Sequence, residues 1–353
     1  MVRVISFLIG KKSYNEYLIP KFFDGNHMQY FLTGATGFVG SWVAEKLVEK
    51  GETVICLVRK TSNLRWLKHL SVKYHYGSLL DMDSLETGIE EADYILHCGG
   101  VTKALSIEEY YRGNVDATEN LLKATAKIKP DIKKFVHISS QAAVGPSESI
   151  TPIEEIHACN PLTYYGKSKL ETEHVVHQFF DRLPITVLRP STVYGPRDTD
   201  VFEAFRNVKY GVNLKIGKIE QYVSMIHVFD LAEGIIHAAE NEKGMHETYF
   251  ICNDQTYSWT QVIGEIKKLM DKKPFDLSVP YWFAYGIASV IEFVARVRGK
   301  PTILDRQKMK ELKEQYWTAS NQKLRSQLGF SPKLSIEQGL SITYDWYKEN
   351  LWI

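Results

Sequence analysis

Short apolar runs alternate with longer amphipathic stretches through the first half of the chain. Residues 30–32, 53–58, 72–76, 92–97, 135–138 and 185–188 read as strands, the third of them weakly. The run at 53–58 is apolar throughout, which predicts a strand buried on both faces. Between the runs lie helical patterns. Trp42, Val43, Leu47 and Val48 recur at helical spacing over 41–50, and Gly51 ends that segment. Residues 108–128 form a second helix with Pro130 past its end. Leu170, Val175, Val176 and Phe179 mark a third that starts near 165. Strand, helix, strand, repeated, predicts an α/β fold built on a doubly wound parallel sheet with right-handed crossovers.

From about 201 the pattern changes. Residues 202–210 and 231–239 read as helices, and 225–227 and 249–252 as strands. Residues 258–353 read as helices and loops without regular strand alternation. The expected division is a main domain from 28–195 and 223–257, and a smaller, mostly helical substrate-binding region from 196–222 and 258–353. Within the latter, Phe283, Ile287, Val290, Ile291 and Val294 share one helical face over 279–297. Glu292 and Arg296 leave the uncharged part too short to span a bilayer. The segment is read as a helix packed on its own region. An apolar wall for a lipid-like substrate, or a surface membrane contact, is the alternative.

Residues 1–27 fit poorly with the rest of the chain. The apolar run at 4–9 is at the lower limit for a signal core, and no small-residue cleavage site comes after it. They are read as an N-terminal extension, with the first strand beginning just after Met28.

Composition narrows the class. The chain has 353 residues, 44% hydrophobic and 24% charged, with a formal net charge of +1. Such a balance is that of a soluble globular protein. It gives no reason to expect nucleic acid or an anionic membrane as the partner. The four cysteines form no close pair, which fits a reducing, cytoplasmic setting and no metal site.

The chemistry begins at Thr33-Gly34-Ala35-Thr36-Gly37-Phe38-Val39-Gly40. Here a strand turns into a helix through three glycines. Gly34 allows the tight turn, Gly37 lets the backbone approach a diphosphate, and Gly40 lets the helix pack close. The helix start offers unpaired N–H groups to the anion. A dinucleotide is therefore the expected ligand, on a Rossmann-type sheet. Arg59 and Lys60 come after the second strand, where an acidic residue would suit an unphosphorylated ribose and a basic one a 2′-phosphate. NADP is favoured slightly over NAD. The fourth strand runs into Gly99-Gly100, which lets backbone approach a ligand.

Tyr165 and Lys169 lie four apart, one turn from each other on a helix. An ammonium there is expected to lower the phenol's pKa, so that Tyr165 exchanges a proton with a substrate oxygen near neutral pH. Ser140, at the end of the fifth strand, is a second hydrogen bond to that oxygen. Hydride then passes between the adjacent carbon and a nicotinamide.

Together the glycine turn, Asn114, Ser140 and the Tyr165/Lys169 pair resemble the extended short-chain dehydrogenase/reductase family. It comprises NAD-dependent epimerases and dehydratases, dihydroflavonol reductases and 3β-hydroxysteroid dehydrogenases. The resemblance covers residues 28 to about 350. It implies that Gly34, Thr36, Gly37, Phe38, Val39 and Gly40 contact the diphosphate. Arg59, Lys60, Ser78 and Leu79 would flank the adenosine end. Gly99, Gly100, Val101 and Asn114 would line the cofactor's middle. Ser139, Pro190, Ser191 and Val193 would lie toward the nicotinamide. Ser140, Tyr165 and Lys169 would be catalytic, with Tyr165 and Lys169 also contacting the cofactor and Lys169 holding its ribose. His227 would be structural. Ser78 stands where relatives often carry an acid. Val223 stands where sugar-nucleotide enzymes carry a diphosphate-binding arginine, and a valine cannot pair with a phosphate. The run Ser139 to Pro146 is also similar to the hydroxysteroid dehydrogenase branch.

The implied function is an NAD(P)-dependent oxidoreductase that interconverts a secondary alcohol and a carbonyl. A nucleotide-sugar epimerase or dehydratase with tightly held NAD is the alternative. A non-catalytic NAD(P)-binding protein is a third, disfavoured because both Tyr165 and Lys169 are present. A homodimer through the 108–128 and 165–180 helices is also implied by the resemblance.

Overall fold

The computed structural model describes residues 27–353. Apart from His27, the extension read at 1–27 lies outside them. In chain order the first part runs β1 (Gln29–Thr33), α1 (Phe38–Glu49), β2 (Thr53–Val58), β3 (Lys73–Tyr76), α2 (Met82–Ile89), β4 (Tyr94–His97), α3 (Ile107–Tyr111), α4 (Ala117–Ile128), β5 (Lys134–Ile138), α5 (Tyr164–His177) and β6 (Ile185–Pro190). The rest runs β7 (Thr192–Tyr194), α6 (Phe202–Lys209), β8 (Val212–Ile216), β9 (Tyr222–His227), α7 (Val228–Glu240), β10 (Glu247–Ile251), β11 (Thr256–Ser258), α8 (Trp259–Leu269), β12 (Phe275–Val279), α9 (Tyr281–Arg298), α10 (Arg306–Lys313), β13 (Tyr316–Trp317), α11 (Gln322–Leu328) and α12 (Ile336–Glu349).

Seven strands form the main sheet in the order β10-β6-β5-β4-β1-β2-β3. Every adjacent pair is parallel. The doubly wound architecture is as expected, with its switch point between β1 and β4. Alternate residues of a strand face opposite sides. Leu32 therefore packs with Leu47 and Ile235 under α1 and α7. Phe31 packs with Leu121 and Val176 under α2, α4 and α5. The edge strand β3 is half-exposed, which is why its apolar pattern is weak.

A second assembly forms around β9, which pairs with β7, β11 and β13. Of the return segment 223–257, α7 and β10 join the main sheet, while most of β9 lies here. The two parts meet at Arg197. Its guanidinium donates to Ser41 Oγ at 3.0 Å and Glu45 Oε2 at 2.7 Å, and stacks 3.7 Å from the Trp42 ring centre.

Four expectations are corrected. The first helix begins at Phe38 rather than at 41, so Phe38, Val39 and Gly40 are its opening turn. The 108–128 helix is broken by a π-helical turn at Arg112–Asp116, which carries Asn114; such turns recur at functional sites. The stretch 258–353 is not free of strands. It holds β12 and β13, and β12 pairs in parallel with β8, itself unforeseen. β12 exposes residues of both parities, leaving no alternation to read. Finally, α9 does not bury its large apolar face. Ala284, Ala288 and Ala295 turn inward, while Phe283, Ile287, Val290 and Val294 are exposed.

Candidate active site

Gly34 leaves β1 with a φ of +73°, and a Cβ there would lie 2.6 Å from the Cys98 carbonyl. The turn closes with Gly37 N–H donating to Gly34 O at 2.9 Å. A Cβ on Gly40 would stand 2.3 Å from Gly34 O, so only glycine lets α1 sit this close. Thr36 and the exposed Gly37 form the outer lip. Ser41 N–H bonds back to Gly37 O. The amides of Phe38, Val39 and Gly40 therefore head the helix as its free donors. No acidic side chain occupies that first turn.

The end of β4 is held by a directed chain of hydrogen bonds that the sequence reading missed. Thr118 Oγ1 donates to Asn114 O at 2.6 Å, so it accepts from His97 Nε2 at 2.8 Å. Burial, with help from the Lys169 charge, pushes the His97 pKa down to about 3. The neutral ring therefore accepts at Nδ1 from Thr33 Oγ1, 2.7 Å away. Thr33 Oγ1 in turn accepts from Gly99 N–H at 3.0 Å. Asn114 accepts from Val101 N–H at 2.6 Å and donates to Val101 O and to Ser168 Oγ. Its amide is thus engaged with protein and fixes the Gly99-Gly100-Val101 loop. His97 is the last residue of its strand, and that position was the only sequence signal for it.

At the end of β5, Ser139 and Ser140 diverge. Ser139 Oγ turns inward and donates to Glu173. Ser140 Oγ accepts from Ala142 N–H at 3.1 Å and faces the Tyr165 phenol, whose pKa it pulls down. Thr163 caps α5 by accepting from Gly166 N–H, and so places Tyr165 and Lys169 in the first two turns. Burial pushes the Tyr165 pKa up to about 12 against the lowering effect of Ser140. The expectation that Lys169 lowers this pKa is corrected. The Lys169 ammonium donates to Ile138 O at 2.6 Å, and burial lowers its own pKa to about 8. Glu173 continues the spacing of 165 and 169 by one more turn, a signal that was readable but unused. It binds the buried Arg189 guanidinium, which leaves β6.

The remaining expected residues lie along the same carboxyl edge. Arg59 and Lys60 are exposed after β2. Ser78 accepts from Leu80 N–H, and Leu79 O accepts from Asn120 Nδ2. Pro190 ends β6, Val193 lies in β7, and Ser191 Oγ is buried without a protein partner. Beside Tyr165, with ring centres 6.2 Å apart, Tyr110 opens onto a cleft. The cleft is lined by Leu105, Tyr164, Ala295, Thr302 and Gln307, with Asp305 and the Glu292–Arg296 ion pair.

This edge fits a nicotinamide dinucleotide. The glycine cradle excludes a Cβ, the helix start carries no acid, and Ser191 keeps an unused hydroxyl. The NAD dependent epimerase/dehydratase family model matches residues 30–252. The chain belongs to that family. It is an NAD(P)-dependent enzyme of the extended short-chain dehydrogenase/reductase type. The chain is 25% identical over 323 residues to the ceramide reductase of Caulobacter vibrioides, covering 91% of this chain and 95% of that one. It is 25% identical over 325 residues to the sterol-4-alpha-carboxylate 3-dehydrogenase, decarboxylating, of Dictyostelium discoideum, covering 88% and 98%. In fold it is similar to the UDP-glucose 4-epimerase of Thermotoga maritima, solved with UDP-glucose. The TM-score is 0.76 at 22% identity, covering 92% of this chain and 100% of that one.

Proposed function

We propose that this enzyme interconverts a secondary alcohol and its carbonyl, with Tyr165 as the proton donor and acceptor and NAD(P) as the hydride partner. The observation that carries it is the placement of the Tyr165 phenol beside Ser140 at the end of β5. That is the same sheet edge as the glycine turn after β1, with only β4 between, about 10 Å at one strand spacing per step. When bound, the nicotinamide supplies the hydride chemistry. Gly34, Thr36, Gly37, Phe38, Val39 and Gly40 hold the diphosphate. Arg59 and Lys60 face the adenosine ribose and favour a 2′-phosphate. Lys169 holds the nicotinamide ribose. Ser140 orients the substrate oxygen and shares its developing charge, while Tyr165 moves the proton.

The substrate is read as weakly charged. The one cation in the cleft wall, Arg296, is neutralised by Glu292 at 2.7 Å. Val223 lies in β9 between Tyr257 and Trp317 and offers no anion contact. The ceramide and sterol relatives are named for lipids, which agrees with that wall. The epimerase likeness supports the second reading, a nucleotide-sugar enzyme. A panel of secondary alcohols and ketones with both cofactors separates the two. The proposal expects turnover of uncharged ketones, and Arg59→Ala shrinking the preference for NADP. Turnover of a nucleotide sugar alone would reverse the ranking. A homodimer through the α4 and α5 face is part of the same proposal, and sedimentation tests it.

A further inference from the structure

Helix α9 holds eight of the twenty large apolar side chains that are exposed among the described residues. At 3.6 residues per turn, Trp282, Phe283, Ile287, Val290, Phe293 and Val297 fall within one arc of about 140°. No charged residue falls inside that arc. Trp282 is 75% exposed, Phe293 67% and Val297 73%. The helix is held from behind by small side chains, Ala284 and Ala288 against Met309 and its neighbours, while Ala295 is buried at the cleft. The arc is bordered by Arg296 on one side and Arg298 on the other, with exposed Lys300 just beyond the helix. The only acid in residues 281–300, Glu292, is turned inward onto Arg296 and Arg306. β12, joined to α9 by Pro280 alone, exposes Phe275 and Leu277, and Leu277 pairs with exposed Leu214 on β8. The inward side of the same helix, at Glu292, Ala295 and Arg296, walls the cleft beside Tyr110 and Tyr164.

We propose that α9 lies in the surface of a lipid bilayer carrying anionic headgroups, with the cleft mouth against the lipid. An apolar arc with an aromatic residue at its border and basic residues on both flanks is the pattern of a helix that rests in the interface without spanning it. No helix among the described residues is long and apolar enough to cross a membrane. An arc whose one polar side-chain atom is the border indole nitrogen of Trp282 suits a fluid apolar surface, which needs no shape complement, and the exposed Arg298 and Lys300 match headgroup phosphates. The docking itself stands on the exposed arc. The delivery of a lipid-borne alcohol or ketone to the cleft rests in addition on the oxidoreductase reading above.

Flotation of the full chain with vesicles tests it. Vesicles of phosphatidylcholine with phosphatidylglycerol should carry the protein, and phosphatidylcholine alone should carry much less. The double variant V290D/F293D should lose binding by at least about tenfold, since each change removes an apolar side chain from the lipid. Its turnover of a water-soluble ketone should be unchanged. Failure to bind anionic vesicles, or equal binding by V290D/F293D, overturns the proposal. So does a dimer that V290D/F293D dissociates, which would assign the face to a second copy. Vesicle binding that appears only when the chain begins at Met28 also overturns it, assigning the face to residues 1–27. Vesicle binding with no ketone turnover would sink the oxidoreductase reading and leave the docking intact.

Discussion

Glu173 and Arg189 form a buried two-pronged ion pair, with Nη2 to Oε2 at 2.6 Å and Nε to Oε1 at 3.0 Å. The pair ties α5 to β6, and Ser139 adds β5 through its hydroxyl. It therefore fixes the helix that carries Tyr165 against the strand that ends in Ser139 and Ser140. Removing one partner leaves the other charge buried and alone, at about 3–5 kcal/mol. Glu173→Ala should lower the unfolding free energy by that much, read as a fall in the urea midpoint, and Glu173→Leu with Arg189→Met should recover most of the loss. If the single variant unfolds at the wild-type midpoint, the pair is not what holds these elements together.

The glycine turn separates packing from binding. A methyl on Gly40 would meet the Gly34 carbonyl at 2.3 Å, a backbone atom that cannot step aside. Gly40→Ala should cost about 1–3 kcal/mol of stability as well as cofactor affinity. A methyl on Gly37 would meet only Gly34 O, at 3.2 Å, and would otherwise project outward. Gly37→Ala should weaken cofactor binding by about tenfold or more with little change in thermal midpoint, because the methyl would stand where the diphosphate approaches. Calorimetric titration beside thermal melts reads both quantities. Equal cofactor affinity in Gly37→Ala and wild type would remove the diphosphate from this turn.

Much of this edge was legible because its residues carry their own signals. Spaced glycines at 34, 37 and 40 announce the turn, and 165 and 169 announce a shared helix face. Arg197 carried none. It is positioned by Trp42, Ser41 and Glu45, which lie more than 150 positions earlier in the chain. The same holds for His97, whose partners Thr33 and Thr118 come from another strand and another helix. The outward turn of α9 was misread because hydrophobic spacing identifies a face and not its direction. Only packing shows that alanines and Tyr281, not the large side chains of the outward arc, meet the protein.

Three buried histidines predict how acid acts on the fold. Burial drives the pKa of His97 and of His227 down to about 3, and that of His137 well below its ordinary value. In the unfolded chain each titrates near 6.5. Above that pH both states are neutral and the stability is fully present. As pH falls from 6.5 toward 3, only the unfolded chain takes up protons, so stability is lost. Each histidine contributes about 1.4 kcal/mol per pH unit, or about 4 kcal/mol for the three. The urea midpoint should therefore fall steadily from pH 6.5 to pH 5, before most carboxylates titrate. His137→Leu should flatten the slope by about a third, since both nitrogens of that ring are buried without a protein partner. A midpoint constant over this range would contradict the burial of these rings.

Proton transfer at Tyr165 sets the pH dependence of turnover. A phenol held up at about 12 is a poor base near neutral pH, so alcohol oxidation should speed up as pH rises through the alkaline range. Ser140 is the side chain that pulls this pKa down. Ser140→Ala should therefore move the alkaline limb of the kcat profile to higher pH, besides lowering kcat by about 10²–10³ through loss of a donor to the developing charge. Tyr165→Phe should remove that limb and lower kcat by about 10²–10⁴, with a far smaller change in cofactor affinity. Lys169→Met should differ from both. Its ammonium bonds Ile138 O rather than the phenol, so its loss should raise the cofactor Kd before it moves the limb. Steady-state rates across pH for the three variants, beside cofactor titrations, test these roles. A Tyr165→Phe enzyme with the wild-type profile would leave the proton to another group.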